Sequence, residues 1–371
     1  MRQIAIVGAG TIGEVHAQSV ARIAGASLAA VCDPRLERAR QVAAPEGARV
    51  FASIDELIKS PAVWAEVDVV LVCVPTYLHE DIVMKAAAGG KSVFCEKPLS
   101  LTDASAERMI AACEVAGVAL GVGHVVRFFP EYQALLRTLS SGGIGEVGTV
   151  RTFRGGSFPV AWDNWYADEA RSGGILVDLL IHDLDFVDSQ IDPIASLFVR
   201  RLEPEQRQQR DYALVIGRLQ HGGLLHMEAT WAHASGFRYG FEVAGRTGLV
   251  DFNSDKVRPL HLMTRARAGG GGEPGVTVPE SPLSESPYQV ELAAFLAALE
   301  RGEAVPVDGR AARRALALSL AAVRSARSGC PVDVAPSGSA HAPEGGRVGA
   351  SSRPDARHDS TAGHGGKGDM A

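Results

Sequence analysis

The sequence predicts an α/β protein in which a doubly wound parallel sheet is followed by an α+β domain with a large, mostly antiparallel sheet. Three observations predict it. Short runs of Val, Ile, Leu and Ala alternate with helix-length stretches as far as residue 124. A glycine-rich turn, GAGTIG, follows the first of those runs. After residue 125 several strand-like runs follow one another across short turns, with no helix between them.

The first-half runs are IAIVG (4–8), SLAAVCD (27–33), VDVVLVCVP (67–75), SVFCEKP (92–98) and VALGVGH (118–124). They are nearly continuous in apolar residues, as strands buried on both faces are. The second half opens with a helix-like stretch, PEYQALLRTLSSG, and the strand VGTVRTFRGGSF. An aromatic loop, PVAWDNWYADEA, leads to a single expected helix, GGILVDLLIHDLDFVDSQ. Strand-like runs SLFVRRL, YALVIGRLQ, LLHMEATWAH, FRYGFEVAG, LVDFNS and RPLHLM come next, then amphipathic helices around 288–301 and 310–327. The expected domains are 1–124, 125–335 and a disordered tail, 336–371, whose composition cannot bury a core. The stretch 267–286, rich in Gly, Pro and Ser, reads as a long loop.

Composition narrows the function. The chain has 371 residues, 46% hydrophobic and 22% charged, enough for two domains with real cores. A formal net charge of -6 disfavours a nucleic-acid partner, and no apolar run is long enough for a membrane span. Met1-Arg2-Gln3 leads straight into the first strand without a signal-peptide pattern, so a cytoplasmic protein is expected. The five cysteines form no CxxC pair and no metal-ligand spacing, and read as reduced, mostly core residues. His341, His358 and His364 in the tail read as solvated, and no metal is expected.

Gly8, Gly10 and Gly13 lie between a strand and a helix, and Asp33 ends the next strand 20 residues after Gly13. Together these form the dinucleotide fingerprint of a Rossmann domain. Gly8 permits the turn, Gly10 lets the backbone approach a pyrophosphate, and Gly13 permits close packing of helix on strand. With Ala9, Thr11 and Ile12 they make the phosphate turn. Asp33 would bond the ribose hydroxyls and repel a 2′-phosphate, favouring NAD over NADP, although Arg35 and Arg38 lie close by. Val74, Pro75, His79, Glu96 and Lys97 also sit near strand ends, where ligands of open parallel sheets bind.

FCEKPLS places Glu96, Lys97 and Pro98 after a buried strand, and Asp178 and His182 are four apart, hence on one face of a helix. With GAGTIG, Asp33 and the pattern from Gly173 to Asp185, these residues resemble the glucose-fructose oxidoreductase / inositol dehydrogenase (Gfo/Idh/MocA) family. FEVAGRTG (241–248), PYQVELAAF (287–295) and SARSGCPVDV (325–334) extend the likeness over about residues 1–335. Two places depart from the family pattern: DSQIDPIAS, where relatives continue with an aromatic and a glycine, and the Gly-rich 267–286 loop.

The resemblance implies an NAD(P)-dependent dehydrogenase acting on a secondary alcohol of a cyclic polyol or sugar, working without a metal. Lys97 and His182 would manage the hydroxyl proton, and Asp178 would orient His182 or bond a substrate hydroxyl. The peptide before Pro98 would be cis, and the protein a homodimer or homotetramer. His79, His124 and Arg127 would line the cofactor pocket or the substrate pocket, or only pack. Trp162, Trp165 and Tyr166 of the aromatic loop would stack on the substrate or plug the core edge. Two competing readings are an NAD-dependent glycosidase with transient hydride transfer and a dinucleotide-sensing protein without turnover.

Overall fold

The computed structural model describes residues 1–202, 210–255 and 286–335. In chain order the first half contains β1 (Arg2–Val7), α1 (Thr11–Val20), β2 (Ala26–Cys32), α2 (Leu36–Ala43), β3 (Arg49–Phe51), α3 (Ile54–Ile58) and α4 (Pro61–Glu66). Then follow β4 (Val69–Val72), α5 (His79–Ala88), β5 (Ser92–Glu96), α6 (Asp103–Ala116) and β6 (Leu120–Gly123). The six strands form a parallel sheet in the order β3-β2-β1-β4-β5-β6. The order reverses direction at β1, and the crevice of a doubly wound sheet opens at that switch point.

Each strand sends alternate side chains to opposite faces. In β1, Ile4 and Ile6 join one core with α1 and α2, while Ala5 and Val7 join another with α5 and α6. That two-sided burial is why these strands lack polar alternation. Helix ends follow local chemistry: the Thr102 side chain accepts the Ser105 N–H to start α6, and Gly117 ends it in the left-handed region.

The second half contains α7 (Pro130–Ser140), β7 (Val147–Ser157), α8 (Glu169–Ser172), α9 (Gly174–Asp178), α10 (Ile181–Phe186) and β8 (Ile194–Arg201). It continues with β9 (Tyr212–Leu219), β10 (Leu224–Thr230), β11 (Ala232–Gly245), β12 (Leu249–Asn253), α11 (Pro287–Arg301), α12 (Gly309–Ser328) and β13 (Val332–Asp333). The seven strands lie in the order β12-β11-β7-β10-β9-β8-β13, all antiparallel except the β7–β10 pair. One face packs on α7, α9, α10 and part of α12, while the other leaves Ile216, Leu224 and Leu249 about half exposed.

Three expectations need correction. The edge strand β3 was not foreseen. The stretch 173–190 is not one helix: it breaks between Asp178 and Ile181 and ends in a π-helical turn, Val187–Ile191. The last two helices also serve the first sheet, with Leu292, Phe295 and Leu296 in one of its cores and Ala312 and Leu316 in the other. The expected strand RPLHLM, the Gly-rich loop through residue 285 and the tail from 336 lie outside the described residues.

A candidate active-site cleft

At the carboxyl ends of β1, β2, β4 and β5, facing the end of β7, lies a cleft of about 760 Å³. Its floor is the glycine turn. Gly8 has φ +104°, and a Cβ there would stand 2.4 Å from the Cys73 carbonyl oxygen. A Cβ on Gly13 would stand 2.0 Å from the Gly8 carbonyl oxygen, so only glycine lets α1 pack so closely on β1. Gly10, by contrast, has nothing within 4 Å of such a Cβ. The three glycines thus have three different physical reasons. No side chain caps α1, whose first-turn N–H groups at Thr11, Ile12 and Gly13 remain available for an anion. Ala9 is different: it is buried, absent from the cleft wall, and its N–H donates to Asp33 Oδ2 at 2.8 Å.

Asp33 stands where a ribose-binding carboxylate is needed, and it is already partnered. Oδ1 accepts the Arg35 N–H at 2.8 Å and Arg35 Nε–H at 3.1 Å. The Arg35 guanidinium lies 5.9 Å from the Trp162 ring, so the aromatic loop reaches the ribose end of the cleft. Arg38 donates to the Ala9 carbonyl and pairs with Glu14. Val74 and Pro75 line the wall. His79 lines it too, but Nε2 lies 3.0 Å from the Val74 carbonyl and Nδ1 3.0 Å from that of Pro98. Its ring therefore ties the ends of β4 and β5 together.

The chemical end of the cleft is assembled by β5 and the α9–α10 break. Glu96 is buried, with Oε1 2.6 Å from His16 Nε2, while Oε2 accepts the Lys97 N–H at 3.2 Å. Burial would raise the Glu96 carboxyl, but His16 and Lys97 hold it below the usual carboxylate range. The Lys97–Pro98 peptide is cis. Lys97 Nζ donates to the Asp178 carbonyl at 2.7 Å and to Asp178 Oδ1 at 3.2 Å. The helix break permits the first bond: in a continuous helix that carbonyl would accept the His182 N–H, which here lies 3.4 Å from the Leu179 carbonyl instead.

His182 lines the same end, with Nδ1 buried and without a hydrogen-bond partner among the described residues. Burial first, then the nearby charges of Lys97 and Arg154, pushes its pKa well below the ordinary histidine value. Of the two roles expected of Asp178, orienting this imidazole or bonding a substrate hydroxyl, the first has no contact to support it among the described residues, where its bonds go to Lys97.

The expected substrate residues separate. Asp178, His182, Trp162 and Trp165 line the cleft, whereas His124 and Arg127 do not. Arg127 forms a two-pronged pair with Asp185, at 2.7 and 2.6 Å, and His124 packs beside that carboxylate, 3.4 Å away. Burial lowers the His124 pKa. Trp165 stacks on Tyr166 with ring centres 3.9 Å apart. Sequence reasoning missed Arg154 and Tyr288, both in the cleft wall beside Tyr166 of the aromatic loop. For Arg154 a signal existed: it occupies an inward-facing position of β7, where a charge is out of phase with burial. Among the described residues no group of three or more His, Cys, Asp or Glu could hold a metal, and no helix is long and apolar enough to cross a membrane.

A glycine turn with an uncapped helix, a carboxylate at the end of the second strand and an amine–imidazole pair at the far end define an NAD-binding oxidoreductase. Residues 2–124 match the oxidoreductase family's NAD-binding Rossmann fold, and residues 137–334 its C-terminal alpha/beta domain. The chain belongs to this family, Gfo/Idh/MocA. It is 30% identical to a myo-inositol 2-dehydrogenase of Thermotoga maritima, over 87% of this chain and 96% of the relative. To an inositol 2-dehydrogenase of Rhizobium meliloti it is 32% identical, over 86% and 95%. The crystal structure of a probable dehydrogenase from Thermotoga maritima superposes with a TM-score of 0.75 at 28% identity, covering 89% of this chain and 98% of that one.

Proposed function

We propose that this enzyme oxidises a secondary alcohol of a cyclic, inositol-like polyol or sugar, with NAD as the hydride acceptor. The observation that carries the proposal is the meeting of Lys97, Asp178 and His182 at one end of a cleft whose other end is a dinucleotide turn. The inositol dehydrogenases among the relatives support the substrate class.

When bound, NAD supplies the carbon that accepts the hydride. The chain's own groups then handle the proton and the charge. An ammonium has three N–H donors, and Asp178 engages two of those of Lys97. The third is left for the substrate oxygen, where it stabilises alkoxide character. His182, held neutral, is the group able to accept the hydroxyl proton. Asp178 acts by holding Lys97. Trp165 is assigned to the substrate wall and Trp162 to the cofactor rim, while His124 and Arg127 take structural roles. Asp33 favours NAD over NADP. Residues 1–124 bind the cofactor, and 125–335 supply most of the substrate wall and the oligomer contacts. The described cysteines, free of disulfides, suit a reducing cytoplasm.

The test is to incubate the protein with NAD and a panel of inositols and sugars and follow NADH absorbance. One or more polyols should yield NADH. Lys97→Met and His182→Ala should each cut turnover about 10²–10⁴-fold, with NAD binding intact and with a combined loss smaller than the product. Release of an aglycone with NAD unchanged would indicate a glycosidase, and NAD binding with no turnover would indicate a sensor.

A further inference from the structure

One charged side chain in the cleft has no task in this chemistry. Arg154, in β7, is 1% exposed yet contributes to the cleft wall. Its Nε donates to Asp183 Oδ2 at 2.8 Å. Nη2 donates to Asp183 Oδ1 at 3.2 Å and to the Tyr132 hydroxyl at 3.1 Å. The Tyr239 ring lies 5.7 Å from the guanidinium carbon.

A guanidinium has five N–H donors. These three bonds use the Nε–H and both hydrogens of Nη2, leaving the two on Nη1. Nη1 has no partner among the described residues, and it is not one of the buried atoms sealed from solvent. Because Arg154 lines the cleft, these are the N–H groups it has left to offer a ligand there. Burying a cation with part of its hydrogen-bonding edge unmet is unfavourable, and ligand oxygens relieve that cost. The location is specific, because Asp183 follows His182 directly and the Arg154 charge is near enough to act on that imidazole.

We infer that Arg154 is a substrate-binding residue whose Nη1 donates both N–H groups to two vicinal oxygens of the polyol, beside the carbon being oxidised. The inference rests on the polyol reading above. It predicts selectivity for substrates whose reacting alcohol has neighbouring hydroxyls, since a deoxy analogue leaves these donors unmet.

The experiment compares wild type, Arg154→Lys and the double variant Arg154→Gln/Asp183→Asn. Arg154→Lys keeps a charge beside Asp183 and loses the Nη1 donors, whereas the double variant removes the ion pair as a unit. The substrates are myo-inositol, or the panel member that wild type oxidises best, and its monodeoxy analogues. Both variants should raise KM for the polyol about tenfold to a hundredfold, with kcat changed less and NAD affinity and Tm close to wild type. The penalty wild type shows for one deoxy analogue should shrink in the variants. Unchanged polyol KM in Arg154→Lys, with the deoxy penalty intact, overturns the assignment while leaving the polyol reading standing. A wild-type enzyme that forms no NADH with any polyol or sugar overturns both.

Discussion

His182 sits where burial and two cations all oppose its protonation, and as the proposed base it would set the pH behaviour of the reaction. Because the lowered pKa keeps the ring neutral, the acid limb of kcat/KM should fall below the ordinary histidine value of about 6.5. Removing the Lys97 charge takes away one opposing term, so the His182 pKa should rise toward its usual value. The residual activity of Lys97→Met should therefore lose its acid limb at higher pH than wild type does. A pH–rate profile on both proteins checks this, and an unshifted limb would mean that another group controls it. The place of Glu96 in the cleft wall was legible from its motif, but its partner was not. The contact with His16 joins residues 80 apart, and no spacing rule reports such a pair.

At the scale of elements, the glycine turn makes two separable predictions. Gly10→Ala adds a methyl to open space, so stability should change by no more than about 1 kcal/mol. The same methyl obstructs the pyrophosphate and should weaken NAD binding about tenfold, equivalent to about 1.4 kcal/mol. Gly13→Ala drives a methyl into the Gly8 carbonyl and should cost about 1–3 kcal/mol of stability or more. Thermal denaturation beside an NAD titration distinguishes the two. Five strands of the first sheet were legible because burial on both faces leaves an unbroken apolar run. Strand β3 was not, since three residues at a sheet edge, with Arg49 exposed, carry no such run. The α9–α10 break was equally hidden. The Lys97 ammonium that takes up the freed helix carbonyl comes from a residue 81 positions away. Likewise the charges of His124 and Arg127 could not disclose that Asp185 would turn them away from the cleft.

For the whole molecule, the outer face of the second sheet and the return of the last helices matter most. Ile216, Leu224 and Leu249 are 51%, 54% and 52% exposed on that sheet, beside the charged pair Arg151–Glu242. We expect this face to be covered in a homodimer or homotetramer. Light scattering at micromolar concentration should give at least twice the monomer mass, and a monomer would refute it. The described residues up to 335 pack as one compact unit, and both cores of the first sheet contain residues from α11 or α12. A fragment of residues 1–124 should therefore expose apolar surface and bind a hydrophobic dye, while the full chain unfolds in one calorimetric transition.

That late closure affects how the protein is made. Helix α12 ends about 200 residues after the first sheet is complete in the chain. At typical elongation rates the ribosome needs roughly 10–40 s to cover that distance. Throughout that interval Ile4, Ile6 and Phe94 await Leu292 and Phe295, and the opposite face awaits Leu316. The nascent chain thus presents greasy strands to the cell well before it can hide them. Its yield in a living host should depend on chaperone supply during synthesis more than on the stability of the finished enzyme.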